Sequence, residues 1–178
     1  MTNISMGDPI EEVRYDVEIK GGPNPGWRVR RVRLVEALSE PYELELVLVS
    51  DQKDVVIEPS ELLGADVSLD LERSGFARTV HGLVDRVSSA GLVANHFEVT
   101  VRVVPAWVYL AQHVDTRIFQ DSTAPEILQA VLEPALAQYG RALDASRLHE
   151  EYVVRDYCVQ YAESAFAFAS RIMEEERI

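Results

Sequence analysis

The chain has 178 residues, of which 47% are hydrophobic, enough to bury a core in one large domain or two small ones. Its formal net charge is −13, with 15 arginines and only 2 lysines, which excludes nucleic acid and anionic membrane surfaces as expected partners. The first residues contain no charged-then-apolar leader, and no apolar run approaches about 18 residues, so we expect no signal peptide and no membrane anchor.

Residues of the first two thirds of the chain alternate between apolar and polar, the pattern of half-buried strands. The strand at 27–35 changes phase, since Trp27 and Val29 share one parity while Val32 and Leu34 share the other. We therefore expect a β-bulge at Arg30–Arg31. The predicted inward faces are Val13, Tyr15, Val17 and Ile19; Tyr42, Leu44, Leu46 and Leu48; Ala65, Val67, Leu69 and Leu71; and Phe97, Val99, Val101 and Val103.

A longer strand is predicted from Phe76 to Ser88, with a bend or bulge at Gly82. Turns are predicted at 73–75 and at Ala90–Gly91. Long antiparallel strands with bulges and a glycine in mid-strand favour a sheet that coils into a barrel. The fold class is therefore α+β, mainly β: a bulged, antiparallel, barrel-like sheet with two main helices packed on it.

The two helices are predicted at about 123–139 and 164–176, separated by a strand at 153–161. Thr123 and Glu126 fit a capping box, Pro134 is expected to kink the first helix, and Ser164 is the expected N-cap of the second. The strand places Val153, Tyr157, Val159 and Tyr161 on one face and Val154, Asp156, Cys158 and Gln160 on the other, the pattern of a half-buried strand.

The second helix ends in three acids, Glu174, Glu175 and Glu176, where the helix dipole is negative and disfavours them. Three interpretations stay open: a frayed, solvated end, an end that meets a basic group, or an end that further residues of a longer chain bury. The arginines of the strand at 27–35 likewise form either a solvated face or a contact patch. The candidate partner-contact residues are therefore Glu174, Glu175, Glu176, Arg28 and Arg30.

The sequence shows no arrangement typical of a catalytic or metal site. The four histidines, at positions 81, 96, 113 and 149, have no metal-ligand spacing. His81 and Asp85 share a strand face, but no G-x-S-x-G serine completes a triad. The single cysteine, Cys158, cannot form an internal disulfide and is expected to be a buried thiol. We expect no enzyme activity, no metal and no cofactor.

Several motifs resemble the VgrG spike proteins of type VI secretion. The strand and helix at the end of the chain read "Y-C-V-Q-Y-x-E-S" and "E-E-E-R-I", and Arg177 stands where that family usually has glycine. Further similar motifs are "E-A-L-S-E-P-Y" from Glu36, Leu63-Gly64, His81-Gly82, Pro105 and "R-I-F-Q" from Arg117.

This resemblance implies a phage baseplate hub-like fold, with a first, tube-docking β-barrel at 1–120 and a segment at 121–178 that leads toward a second barrel. It further implies a homotrimeric spike beneath a hexameric, Hcp-like tube ring, with baseplate proteins and effector cargo as partners. The spike would assemble in the cytoplasm and then be injected. The alternatives are a baseplate hub of a contractile phage tail or pyocin-like particle and, from another class, a small hydrolase or carbohydrate-binding barrel.

Overall fold

The computed structural model describes residues 13–178. They form two compact units, the first reaching to Leu38 and continuing at Tyr42–Val103, the second comprising Ser39–Pro41 and Val104–Ile178. The division falls earlier than the predicted boundary at 120, because the strand at 114–119 pairs with a later strand of the second unit. Residues 1–12, where the sequence shows no leader, lie outside the described residues.

The first unit is an antiparallel sheet of six strands: β1 (Arg14–Lys20), β2 (Trp27–Val35), β3 (Glu43–Lys53), β4 (Asp66–Arg73), β5 (Phe76–Val93) and β6 (His96–Val104). Their order in the sheet is β1-β4-β5-β6-β3-β2. No ladder is described between the edge strands β1 and β2, so the sheet is not closed by hydrogen bonds within residues 13–178. The same two strands nevertheless bring Cα atoms within 8 Å of each other, and all six strands contribute to one core.

The predicted inward faces of the sheet are largely confirmed. Leu44, Leu46 and Leu48 of β3 are fully buried, and β4 and β6 bury their apolar positions in the same way. The exception is the beginning of β1, where Tyr15 is 43% exposed. Period-two alternation therefore located the core of this unit, although Val47 and Leu83 on the opposite face of the sheet are also buried.

The register of β2 against β3 shifts between Val29 and Arg31, which confirms the predicted bulge. The bend or bulge predicted at Gly82 is not seen in the pairing of β5 with β4, which runs through Gly82 without a shift. The prediction of a turn at Ala90–Gly91 is wrong. β5 continues to Val93 and turns at Ala94–Asn95, where both residues have positive φ and asparagine tolerates that conformation. The turn at 73–75 is confirmed.

The second unit packs two helices against a two-stranded antiparallel ribbon, formed by β7 (Val114–Phe119) and β8 (Cys158–Ser164). The helices are α1 (Ala124–Ala137) and α2 (Ala165–Glu176), preceded by a 3₁₀ helix at Ala106–Gln112. None of the helices described in residues 13–178 is long and apolar enough to span a membrane.

Both helix N-caps follow the sequence expectation. The Glu126 carboxylate accepts from the backbone N–H and the hydroxyl of Thr123, at 2.7 and 2.8 Å. The Ser164 hydroxyl accepts from the N–H of Ala167 at 3.1 Å. The buried faces of the two helices are also as predicted, with Ile127 and Phe168 among their buried residues.

The last strand departs from its prediction at its start. It begins at Cys158 and not at Val153, and the preceding residues form only an isolated bridge between Ser122 and Arg155. Its buried face carries Cys158 and Gln160, whereas Tyr161 is 79% exposed. The more apolar face is thus the exposed one, because the helices cover the ribbon from the side of Cys158.

Candidate functional site

The outer face of the ribbon exposes large apolar side chains. Ile118, Tyr157 and Tyr161 are 61, 59 and 79% exposed; these three residues are called the ribbon face below. Val114 at the start of β7 and the neighbouring Val153 and Val154 are exposed as well. Grouped exposure of this kind is typical of an interaction surface, since single apolar residues on a monomer surface are ordinary but clusters are not.

The inner face of the same ribbon explains why the outer face points away from the helices. Phe119 stacks on Phe168 of α2 with ring centroids 5.8 Å apart, and Cys158 and Gln160 are buried beside it. Successive strand residues point to opposite sides, so burying these residues exposes Ile118 and Tyr161. A two-stranded ribbon is only marginally stable by itself, and here the helices support one side of it.

Arg155 binds two of the three carboxylates at the acidic end of α2. Arg155 donates to a carboxylate oxygen of Glu175 at 2.8 Å and of Glu176 at 2.6 Å. Its backbone is fixed by reciprocal hydrogen bonds with Ser122, at 3.0 and 3.2 Å. The two carboxylates raise the pKa of the Arg155 guanidinium, and the hydrogen bond from Arg155 lowers the pKa of Glu175 against a smaller opposing effect of burial.

A second arginine extends this network along α2. Arg171 donates to Glu163 at 3.0 Å and to Glu175 at 3.4 Å, and its guanidinium carbon lies 5.2 Å from the centroid of the Phe168 ring. Among the described residues, no ion pair is found for Glu174. Glu175 and Glu176 therefore pair with a basic group of the same chain. This pairing offsets their unfavourable position at the helix C-terminus.

Arg28 and Arg30, the other predicted contact residues, lie on the exposed side of β2. Arg28 forms an ion pair with Asp51, and Arg30 forms one with Glu98. Both side chains are about 60% exposed, so solvent screens these pairs and they contribute little to stability. The structure places Arg28 and Arg30 in the first unit and the three glutamates in the second.

Arg177 ends α2 in the left-handed conformation, with φ 59° and ψ 38°. The N–H of Ile178 donates to the carbonyl of Met173 at 2.9 Å, so the helix is closed by the hydrogen bond that glycine usually allows. Arg177 therefore forms the helix-ending turn at a position where glycine is usual.

The described residues contain no group of three or more histidine, cysteine, aspartate or glutamate side chains placed to hold a metal ion. Asp85, considered with His81 as part of a triad, accepts from Arg102 at 2.9 Å between Oδ1 and Nε. The Asp85 carboxylate is therefore engaged as a structural ion pair.

Residues 35–178 match the family model described as phage tail baseplate hub (GPD). The chain belongs to this family. The match begins at Val35, the last residue of β2, and so includes most of the sheet, the ribbon and both helices. It confirms the resemblance drawn from the motifs.

Curated relatives are spike proteins of type VI secretion. The chain is 37% identical over 157 residues to spike protein VgrG1a of Pseudomonas aeruginosa, which covers 84% of this chain and 23% of that protein. It is 34% identical over 174 residues to VgrG5 of the same organism, which covers 95% of this chain and 20% of the relative. The chain thus spans about a quarter or less of the length of these relatives.

Two solved structures share the fold. The E. coli c3393 protein, a component of the type VI secretion system, aligns with a TM-score of 0.59 at 23% identity, over 84% of this chain and 42% of that one. The 43 kDa tail protein of prophage MuSo2 from Shewanella oneidensis aligns with a TM-score of 0.61 at 14% identity, over 92% of this chain and 48% of the other.

Sequence reasoning missed the ribbon face and the role of Arg155. The alternation at 157–161 indicated a half-buried strand, but not which of its two faces is covered. Arg155 stands in an otherwise apolar and acidic stretch, from Glu150 to Cys158, and this isolation of one positive charge was the available signal.

Proposed function

We propose that this chain is the tube-docking hub part of a VgrG-like spike, a structural component of a contractile injection machine. The observation that carries this proposal is the hub-family match over residues 35–178, together with relatives named as spike proteins at 34–37% identity. The hub would join the spike to the tube and to baseplate proteins, and the assembled spike would help to deliver effectors into target cells.

We further propose that the six-stranded sheet is the first barrel of this hub. The approach of β1 to β2 and the single core shared by all six strands support a barrel-like curl. The segment after it, 121–178 in the sequence expectation and already from Val104 in the structure, would lead toward a second barrel. Strands of that second barrel would cover the ribbon face.

The partners proposed for the assembled spike are two further copies, giving a homotrimer, and a hexameric Hcp-like tube ring. Two similar barrels in each of three subunits would present the roughly sixfold surface that such a ring requires. The candidate contact residues for these partners are the exposed Glu174, Arg28 and Arg30. Glu175 and Glu176 are weaker candidates, because their carboxylates already form ion pairs with Arg155.

The role we infer is structural and not catalytic, with assembly in the cytoplasm followed by injection. Family membership supports it, because the family is named for a tail baseplate hub. The relative named actin cross-linking toxin VgrG1 of Vibrio cholerae is 30% identical over 173 residues, but this chain covers only 15% of it. The toxin name therefore describes a much longer protein.

A second candidate is the same hub role in a phage-type tail. The fold shared with the prophage MuSo2 tail protein favours it. The two roles differ in the tube that the hub must bind, so binding to a type VI tube ring or to a phage tail tube distinguishes them.

A chimera tests the proposal. The 178 residues replace the matching part of Pseudomonas aeruginosa VgrG1a, and the purified chimera is sedimented with and without type VI tube rings. We expect a trimer that co-sediments with the rings, and unmodified VgrG1a is sedimented in parallel as the control. A folded chimera that stays monomeric, or that ignores rings which the control binds, contradicts the proposed function.

A further inference from the structure

The segment at 151–154, shortly before β8, has the sequence of a strand but no strand partner. Val153 and Val154 are β-branched residues that favour strands, and the sequence predicts a strand that begins at Val153. Among the described residues, no backbone hydrogen bond is found for residues 151–154. Val153 and Val154 are 79 and 55% exposed, so two neighbouring apolar side chains are both uncovered.

The register of the ribbon shows which residue would be the next partner of this segment. The bridge between Ser122 and Arg155 continues the register of β7 with β8, three residues beyond the last pair of the ribbon. Two backbone hydrogen bonds of 3.0 and 3.2 Å close this bridge. One step further in the same register, Thr123 would lie opposite Val154.

Thr123 cannot pair with Val154, because α1 uses its backbone. The N–H of Thr123 donates to the Glu126 carboxylate at 2.7 Å, and its carbonyl accepts from the N–H of Ile127 at 3.0 Å. These are the two groups that a ladder would need. The strand-forming sequence at 151–154 therefore continues past the point where its partner strand has become a helix. Unpaired backbone of this kind can accept a strand from elsewhere.

The charges around the segment indicate the chemistry of a strand that would fit. Glu150, Glu151 and Asp156 are exposed, and no ion pair is described for them within residues 13–178. Arg155, the basic residue of this stretch, is already bound to the acidic end of α2. Opposite charges on directly paired residues stabilise a sheet and like charges destabilise it. A matching strand therefore carries a basic residue opposite Glu151.

We propose that residues 151–154 bind an extended strand through backbone hydrogen bonds, with arginine or lysine opposite Glu151 and apolar residues against Val153 and Val154. This inference rests on the proposed function, since the strand would come from the part of a VgrG-like spike that follows the matched region. It adds to that function the place and the mode of binding, which is main-chain pairing next to the ribbon.

Amide hydrogen exchange, followed by mass spectrometry, tests the pairing in the isolated 178-residue chain and in the VgrG1a chimera. Residues 151–154 should exchange rapidly in the isolated chain, because no hydrogen bond holds their N–H groups. In the chimera they should exchange at least about tenfold more slowly. Residues 142–147 of the same connection are the internal control and should exchange alike in both. Equal exchange at 151–154 in the two proteins would overturn the proposal.

A charge reversal tests the chemistry of the bound strand. Glu151→Arg in the chimera places like charges opposite each other, so most of the protection at 151–154 should be lost. His149→Arg, outside the segment, is the matched control and should keep it. Unchanged protection in Glu151→Arg would overturn the basic partner strand.

This inference and the proposed function fail separately. A chimera that trimerises and binds tube rings while residues 151–154 exchange rapidly contradicts the strand pairing alone. Protection of residues 151–154 in a folded chimera that ignores the rings supports the pairing and contradicts the tube-docking role.

Discussion

The six strands of the first unit pack their inner side chains into one shared core, whereas the ribbon of the second unit is covered on one side and leaves large apolar side chains exposed on the other. Leu44, Leu46 and Leu48 in the first unit are fully buried, while Ile118 and Tyr161 in the second are more than 60% exposed. Alternation in sequence therefore indicates a strand and its two faces, but not which face is covered. In the second unit an apolar face remains exposed.

Breaking the core of the second unit should have the largest effect. Phe168→Asp replaces a fully buried ring by an unpaired charge, and we expect a loss of about 5 kcal/mol or more in the free energy of unfolding. Urea denaturation followed by circular dichroism measures the loss. The control is Tyr161→Asp, at an exposed position of the same unit, which should change stability by no more than about 0.5 kcal/mol. Similar losses of unfolding free energy for both variants would show that the buried face of α2 is assigned wrongly.

Truncating a core side chain in the first unit should lower the free energy of unfolding by less, because the substitution introduces no charge. Leu46→Ala removes a fully buried side chain and leaves a cavity, and we expect a loss of about 3 kcal/mol in the free energy of unfolding. Leu38→Ala, at a residue 96% exposed, is the matched control and should be near neutral. The midpoint of thermal unfolding is the readout, and a fall in the midpoint for both variants would show that Leu38 is packed in solution.

The Arg155 network should contribute less than either core. Arg155→Met removes both charge-assisted hydrogen bonds, to Glu175 and Glu176, and we expect a loss of about 1–2 kcal/mol at pH 7, reduced from the buried-pair value by solvent screening. Arg147→Met, at an exposed position for which no ion pair is described, is the control.

The same variant should lose its effect in acid. Arg155 lowers the pKa of Glu175 in the folded protein, so its stabilisation is fully present above the unfolded-state pKa of glutamate and disappears as the pH falls through the lower, folded-state pKa. The difference between Arg155→Met and the unmodified chain should therefore shrink below about pH 4. A constant difference from pH 7 to pH 2 would mean that Arg155 acts through packing instead.

The smallest expected change is a gain. Arg177→Gly places glycine at a left-handed position that ends α2, and we expect a stabilisation of about 0.5–1 kcal/mol. Arg177→Ala removes the same side chain but keeps a Cβ, so it should give no comparable gain. Chemical denaturation of the two variants in parallel shows whether backbone strain or the arginine side chain matters here.

The sequence was sufficient for most of the fold. Alternation located the faces of β3, β4 and β6, and capping residues such as Thr123 and Ser164 located both helix starts. It failed at Ala90–Gly91, where a glycine was taken as a turn although β5 continues to Val93, since turn chemistry at Ala94–Asn95 was less conspicuous.

The candidate site was less predictable, because its features depend on contacts that are distant in sequence. Glu175 and Glu176 are bound by an arginine about twenty residues earlier, and no local pattern connects them. The exposed side of β8 is set by which side the helices cover. Nothing in the sequence around Gln160 indicates that its Oε1 would have no hydrogen-bond partner among the described residues.

The most direct test of the claim that the ribbon face is an interface compares one variant in two contexts. Ile118→Asp combined with Tyr161→Asp is introduced into the 178-residue chain and into the VgrG1a chimera. The isolated chain should keep its unfolding free energy to within about 1 kcal/mol, because both residues are exposed. In the chimera, strands of the second barrel would bury the two charges, so that barrel should fail to pack and the trimer should be lost in analytical ultracentrifugation. A doubly substituted chimera that sediments as the same trimer and binds tube rings as before would contradict the account.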